Sequence, residues 1–289
     1  MVTPFDKNLH IDFAVNREII EWYLQFDIGG LYPNCLSSEM YFLNNEERIQ
    51  LVSETVKVVN GRVKVVATAN LGDSVEAHMD FARRIADTGV DALMLLVPEF
   101  LNSDSELEKY YLKMAETLQL PLGIYECPVP RKYHLGVSLV KKLAETGRFV
   151  AYKETSCDLK KILTLYEVTK NTPFALLQAN APYILQVCRA GVPGSMNIGS
   201  IWLADIAASI IRMAHENDAM AESLHSRFCM LEMVQRSAHP VSSKYLLSKR
   251  GLPVPIHSRC GDVGFSEEVK ASIDYIMRDF LTAEGNLIL

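Results

Sequence analysis

The chain has no apolar run long enough to cross a bilayer. Its longest strand-like one, Ala92 to Pro98, falls far short of the roughly 20 residues that a spanning helix needs. The opening Met1-Val2-Thr3-Pro4-Phe5-Asp6-Lys7 lacks the charged start and apolar stretch of a signal peptide. The six cysteines form no CxxC pair and no metal-ligand spacing, so they read as reduced thiols in a cytoplasmic protein with no bound metal. No basic run or basic–aromatic stripe interrupts a net charge of −6, which gives no reason to expect nucleic acid or an anionic membrane as partner.

What is present is an ordinary globular composition, 49% hydrophobic and 22% charged, with enough apolar residues for a large core. Short apolar runs alternate with segments of helical period. The strand candidates are Ile28–Tyr32, Val63–Thr68, Ala92–Val97, Leu122–Tyr125, Val150–Lys153, Phe174–Gln178 and Gly194–Asn197. Between them run Phe13–Phe26, Asn45–Val59, Ser74–Thr88, Ser105–Leu118, Ser138–Thr146, Leu159–Thr169 and Pro182–Ala190. Strands rich in Val, Ile and Leu without alternation suit a parallel sheet buried on both faces. An open doubly wound sheet would show the same alternation, but no Gly-rich phosphate loop follows the first strand. The expectation is an α/β fold, a (β/α)8 TIM barrel with a short first strand at Val2–Pro4. After Ile201 the chain turns mostly helical, giving a barrel over 1–217 and a C-terminal helical appendage over 218–289, packed as one unit.

Lys153 ends the apolar run Phe149-Val150-Ala151-Tyr152-Lys153. Lysine is rarely buried without a reason. In a desolvated barrel interior its amine loses basicity and becomes a nucleophile toward carbonyls. Tyr125 lies 28 residues upstream, one strand–helix unit earlier, so the two side chains can project from neighbouring strands into one pocket. The plainer alternative is a lysine snorkelling at a strand end.

At the C-terminal strand ends, where such barrels carry their active sites, the chain resembles the dihydrodipicolinate synthase / N-acetylneuraminate lyase family of class I aldolases. The resemblance is collinear over nearly the whole length. It rests on Val2-Thr3-Pro4-Phe5, Leu36-Ser37-Ser38-Glu39, Tyr125-Glu126-Cys127-Pro128, Lys153-Glu154-Thr155 and Ala190-Gly191-Val192-Pro193-Gly194. It implies a carbon–carbon lyase in which Lys153 forms a Schiff base with pyruvate or another 2-oxo acid and Tyr125 transfers protons. It also implies that Ser37 and Ser38 hold the substrate carboxylate, although serine serves equally as a turn and N-cap residue there. Glu39 and Glu154 read as loop ties, and Asn197 as a pocket-lining or capping residue. No cofactor is implied, because the lysine itself is the electron sink. A homotetramer or homodimer is, with the region around Phe100 near a subunit contact.

The departures bear on the substrate. In family members that make dihydrodipicolinate, three hydroxyls relay a proton; at two of those positions stand Leu36 and Phe100, which carry none. The family's usual small glycine is Cys35, and the acidic groups of the sialate lyases are replaced by Gln178-Ala179-Asn180-Ala181. These changes point toward a 2-keto-3-deoxy sugar acid or a related compound. Glu126 and Arg131 are then the substrate-binding candidates, the first for hydroxyls or an amine, the second for another carboxylate. The alternative for Glu126 is a salt bridge to Arg131 or Lys132. Cys35, Cys127, Cys157, His78 and His134 read as fillers rather than metal or redox groups. Three further readings stay open: dihydrodipicolinate synthase proper, an impaired paralogue that only binds 2-oxo acids, and an unrelated phosphosugar barrel.

Overall fold

The computed structural model describes residues 1–288. Its centre is a curled sheet of seven parallel strands in sequence order. They are β1 (Gly30–Leu31), β2 (Lys64–Thr68), β3 (Ala92–Leu96), β4 (Leu122–Tyr125), β5 (Phe149–Glu154), β6 (Ala175–Gln178) and β7 (Gly194–Ser195). Around it run α1 (Phe13–Tyr23), α2 (Asn45–Val59), α3 (Val75–Ala86), α4 (Asp104–Thr117), α5 (Val137–Glu145), α6 (Leu159–Thr169), α7 (Ile184–Arg189) and α8 (Ala204–His215). α2 to α7 each come between two consecutive strands, α1 precedes β1 and α8 follows β7, the order of a (β/α) barrel.

Local chemistry sets the helix starts. Asp12, Asn44, Ser74, Ser103 and Asp158 each accept a backbone N–H from the first turn of the helix they precede. Asn44 and Glu47 complete a reciprocal capping box ahead of α2. Every residue of β3 and β4 is buried, as a strand covered on one face by helices and on the other by the barrel interior must be. Gly123 in β4 leaves room for Met94, whose Sδ would have to shift if a side chain stood there.

The first strand expected at Val2–Pro4 is not formed. That segment lies against the loop after β1 instead: Met1 N donates to Tyr32 O at 3.3 Å and Thr3 Oγ1 to Ser38 O at 2.7 Å, and Phe5 makes an isolated antiparallel bridge with Ile11. Pro4 has no N–H to give a ladder. β1 and β7 are therefore edges, and both are shorter than the apolar runs that contain them, since a strand without a partner on one side loses half its ladder. The seam opens into a cavity of about 960 Å3 lined by Gly30, Leu31, Gly194, Ser195, Ala207 and Ile211, among others.

Beyond α8, α9 (Ala221–Arg236) packs against α7 and α8, α10 (Val241–Lys249) against α9, and α11 (Glu267–Met277) is joined to α10 by the Tyr245 hydroxyl donating to Asp274 Oδ1. Leu289, the last residue of the expected appendage, lies outside the described residues. Among the described residues no helix is long and apolar enough to cross a membrane.

Candidate active site

β4 and β5 bring Tyr125 and Lys153 together as direct register partners. Side chains alternate faces along a strand, so both point into the barrel while their neighbours point out. Lys153 is only 9% exposed. Its Nζ lies 4.2 Å from the centre of the Tyr125 ring and 5.8 Å from that of Tyr32. Among the described residues no carboxylate lies within 4.0 Å of it, though the shorter salt bridges elsewhere are many. Burial lowers the basicity of Lys153, against a smaller opposing pull from Cys35 and Cys127. An amine so placed is pushed toward the neutral, nucleophilic form. Burial pushes the Tyr125 hydroxyl well above the ordinary tyrosine range, so it stays protonated and can carry a proton.

Tyr32 is a site residue that the sequence did not single out. Its ring meets that of Tyr125 edge-on with centroids 6.0 Å apart, and its hydroxyl pairs with Thr68 Oγ1 at 2.8 Å. The available signal was an aromatic residue closing the run Ile28–Tyr32, at the same barrel end as Tyr125.

The turn Leu36–Ser38 follows β1 and uses its two serines differently. Ser38 Oγ donates to Cys35 O at 2.7 Å and accepts from Cys35 N at 2.6 Å, which spends it on the turn. Ser37 Oγ meets one side chain, Nε2 of His239 at 3.1 Å. Glu39 then adopts a left-handed backbone (φ 59°) that turns its carboxylate away from the strand ends. There it accepts from Lys244 Nζ at 2.5 Å, Ser258 Oγ at 2.8 Å and the amide of Arg259 at 2.7 Å. Lys244 is wholly buried, so this is a desolvated ion pair fastening the loop to the C-terminal helices.

A family model described as the dihydrodipicolinate synthetase family matches residues 1–279. The chain belongs to that family. It is 27% identical over 283 residues to the 4-hydroxy-tetrahydrodipicolinate synthase of Oceanobacillus iheyensis, covering 97% of this chain and 95% of the relative. Dihydrodipicolinate synthase of Bacillus anthracis superposes with a TM-score of 0.89 at 25% identity, covering 97% of this chain and 96% of that one. YagE of Escherichia coli K12, solved with pyruvate and described as a prophage protein of the dihydrodipicolinic acid synthase family, shares the fold with a TM-score of 0.88 at 19% identity, over 96% and 95% of the two chains. As a member of the dihydrodipicolinate synthetase family, the protein is a carbon–carbon lyase of the class I, Schiff-base type.

Two of the substrate-binding candidates in this family member stand away from Lys153. Glu126 follows Tyr125, so the alternation of faces directs it outward, and its side chain is fully buried. It accepts from His134 Nδ1 at 2.9 Å, Leu135 N at 2.8 Å and the Tyr152 hydroxyl, with Lys161 Nζ 3.9 Å away. Neither Arg131 nor Lys132 pairs with it. Arg131 donates to Asn102 Oδ1 at 2.7 Å and to the carbonyls of Pro98 and Leu101 at 3.1 and 2.6 Å. It thus ties down the loop after β3, at a separate cavity of about 630 Å3 that it lines with Phe100, His78 and Arg48.

Asn197 stands in the loop after β7. It lines the seam cavity, while Nδ2 donates to Ser195 Oγ at 2.8 Å and Oδ1 accepts from Ser200 N at 2.9 Å. Glu154 ties its own loop, accepting from Ser156 N at 2.7 Å and Gln178 Nε2 at 3.3 Å. Cys35 is buried beside the N-terminal amine; burial raises its pKa, but that amine, Lys153 and Ser38 outweigh the effect and lower it. Cys127 is raised, chiefly by burial. Among the described residues no cluster of three or more His, Cys, Asp or Glu is placed to hold a metal ion.

Proposed function

We propose that Lys153 attacks the C2 ketone of pyruvate or another 2-oxo acid, and that the enzyme breaks or makes a C–C bond on a 2-keto-3-deoxy sugar acid or related compound. The observation that carries this is the register pairing of Tyr125 and Lys153, with a desolvated amine that has no carboxylate partner among the described residues. The amine adds to the ketone and loses water to give an imine. The bond between C3 and C4 then breaks, its electron pair passing into the enamine as the C4 hydroxyl loses its proton and an aldehyde departs. Protonation of the enamine and hydrolysis release pyruvate and restore the lysine. Tyr125 carries the protons, a role typically worth about 10²–10⁴-fold.

Ser37, whose Oγ is not spent on the turn as that of Ser38 is, binds the substrate carboxylate, helped by the N–H groups at the start of the turn that have no partner within it. On this reading residues 1–217 form the barrel and 218–289 an extension that steadies its active-site loops. The Lys244–Glu39 pair supports that division of labour. Exposed Phe42, Phe100 and Val129 support self-association through this rim as a homodimer or homotetramer, to be read by light scattering.

A second reading, the synthase reaction for which the curated relatives are named, has those names in its favour. Leu36 and Phe100 stand against it, being apolar where the family resemblance places relay hydroxyls. Borohydride trapping with pyruvate, read by intact mass with Lys153→Ala as control, tests the imine. Repeating the trap with 2-keto-3-deoxy sugar acids and measuring aldehyde release separates the two substrates. No adduct from folded protein with either compound would overturn the proposal.

A further inference from the structure

The C-terminal helices send one chain of hydrogen bonds to the active-site turn. Gln235, buried on α9, donates through Nε2 to Ile198 O and to Ser243 Oγ, each at 2.7 Å. Ser243, buried on α10, meets His239 Nδ1 at 2.6 Å. His239 Nε2 meets Ser37 Oγ at 3.1 Å. The protons follow from the requirement that buried donors find acceptors. An amide nitrogen can only donate, so Ser243 Oγ accepts from Gln235. Its own proton has no partner among the described residues other than His239 Nδ1, which therefore accepts. A neutral imidazole that accepts at Nδ1 carries its proton at Nε2. That proton goes to Ser37 Oγ, and the Ser37 hydroxyl proton is left to point outward.

The imidazole is held neutral here. Burial first, then the N-terminal amine, Arg236, Lys153 and Lys244, lower its pKa to about 4. A charged imidazolium would donate at both nitrogens and leave Ser243 facing a donor.

We infer that His239 is a positioning residue that fixes the Ser37 hydroxyl as a hydrogen-bond donor to the substrate carboxylate, so that the enzyme prefers 2-oxo acids over uncharged ketones. The inference rests on the reading of Ser37 as carboxylate ligand. A serine hydroxyl free to rotate can present either its proton or its lone pairs, and an anion is repelled by the second. Locking the proton outward removes that choice before substrate arrives.

The test compares pyruvate with pyruvamide, which keeps the ketone and replaces the carboxylate by a neutral amide. Half-saturating concentrations for borohydride-trapped imine are measured in the wild type, His239→Ala, His239→Gln and Ser37→Ala. His239→Ala should raise the pyruvate value about tenfold, the scale of one hydrogen bond to a charged group, and leave the pyruvamide value and the saturating rate unchanged. His239→Gln, whose amide N–H reaches the same place, should recover most of the loss. Combined with Ser37→Ala, His239→Ala should cost nothing further. Equal shifts for both ketones, or additive losses in the double variant, would overturn the inference. Should the wild type trap no adduct, the imine proposal fails by itself. The inference is then read by calorimetric titration of pyruvate, where the same tenfold weakening supports it and unchanged or undetectable binding overturns it.

Discussion

Tyr125 and Lys153 face each other across the ladder between β4 and β5, with the amine 4.2 Å from the centre of the tyrosine ring. Burial keeps the tyrosine hydroxyl protonated, so it can carry a proton beside the amine. Tyr125→Phe should therefore lower the turnover rate by about 10²–10⁴-fold while the imine with pyruvate still forms slowly. Single-turnover kinetics check this; a variant with unchanged turnover would remove Tyr125 from the proton path.

Burial lowers the Lys153 pKa in the folded protein. The rate of imine trapping should rise with pH through a midpoint below that of an ordinary lysine. The unfolded chain binds this proton more readily, so between the folded and the unfolded pKa the stability contributed by Lys153 rises with pH. Below the folded pKa the full penalty of a buried ammonium is present. Lys153→Met should abolish trapping and raise the melting temperature at neutral pH, with a smaller gain at pH 10. Loss of stability in this variant would contradict the desolvated amine.

Glu126 is the acceptor on which several buried donors converge. Glu126→Ala leaves the Tyr152 hydroxyl, the Leu135 amide and His134 without it. The expected cost is on the order of 3–5 kcal/mol, a fall in melting temperature of about 2–4 °C per kcal/mol. The half-saturating pyruvate concentration of the protein that remains folded should not change. A variant that melts like the wild type but binds substrate poorly would return Glu126 to the pocket.

The seam between β1 and β7 presents two strand edges to one apolar cavity. A short Val/Ile-rich segment fused ahead of Met1 should pair with those edges and raise the melting temperature, whereas a Gly/Ser segment of equal length should not. Calorimetry of the two fusions decides it, and equal melting would mean that the seam is closed in solution.

Much of this architecture was legible in the chain. Unbroken apolar runs spaced by helical periods required a parallel sheet wrapped in helices, and β3 and β4 lie where the runs placed them. One strand–helix unit between Tyr125 and Lys153 sufficed to make them neighbours, because parallel register carries a spacing of one unit into direct contact. The outward turn of Glu126 was legible too, since a residue that follows an inward tyrosine must face out. Reading it as a pocket residue put family position ahead of strand period.

Tertiary structure alone decided the rest. Nothing local marks His239, Gln235 or Ser243 as partners of Ser37, about 200 residues away; only the packing of the C-terminal helices over the barrel mouth joins them. The same holds for Lys244 and Glu39, whose pairing depends on both being carried out of water at one place. The missing eighth strand is likewise a tertiary outcome. Thr3 spends its side-chain hydrogen bond on Ser38 in the turn after β1, and a strand exists only where a neighbour's ladder is in reach. The order of residues thus set each element's period and the one-unit spacing of Tyr125 and Lys153, while solvent exclusion between distant segments chose which polar groups had to meet.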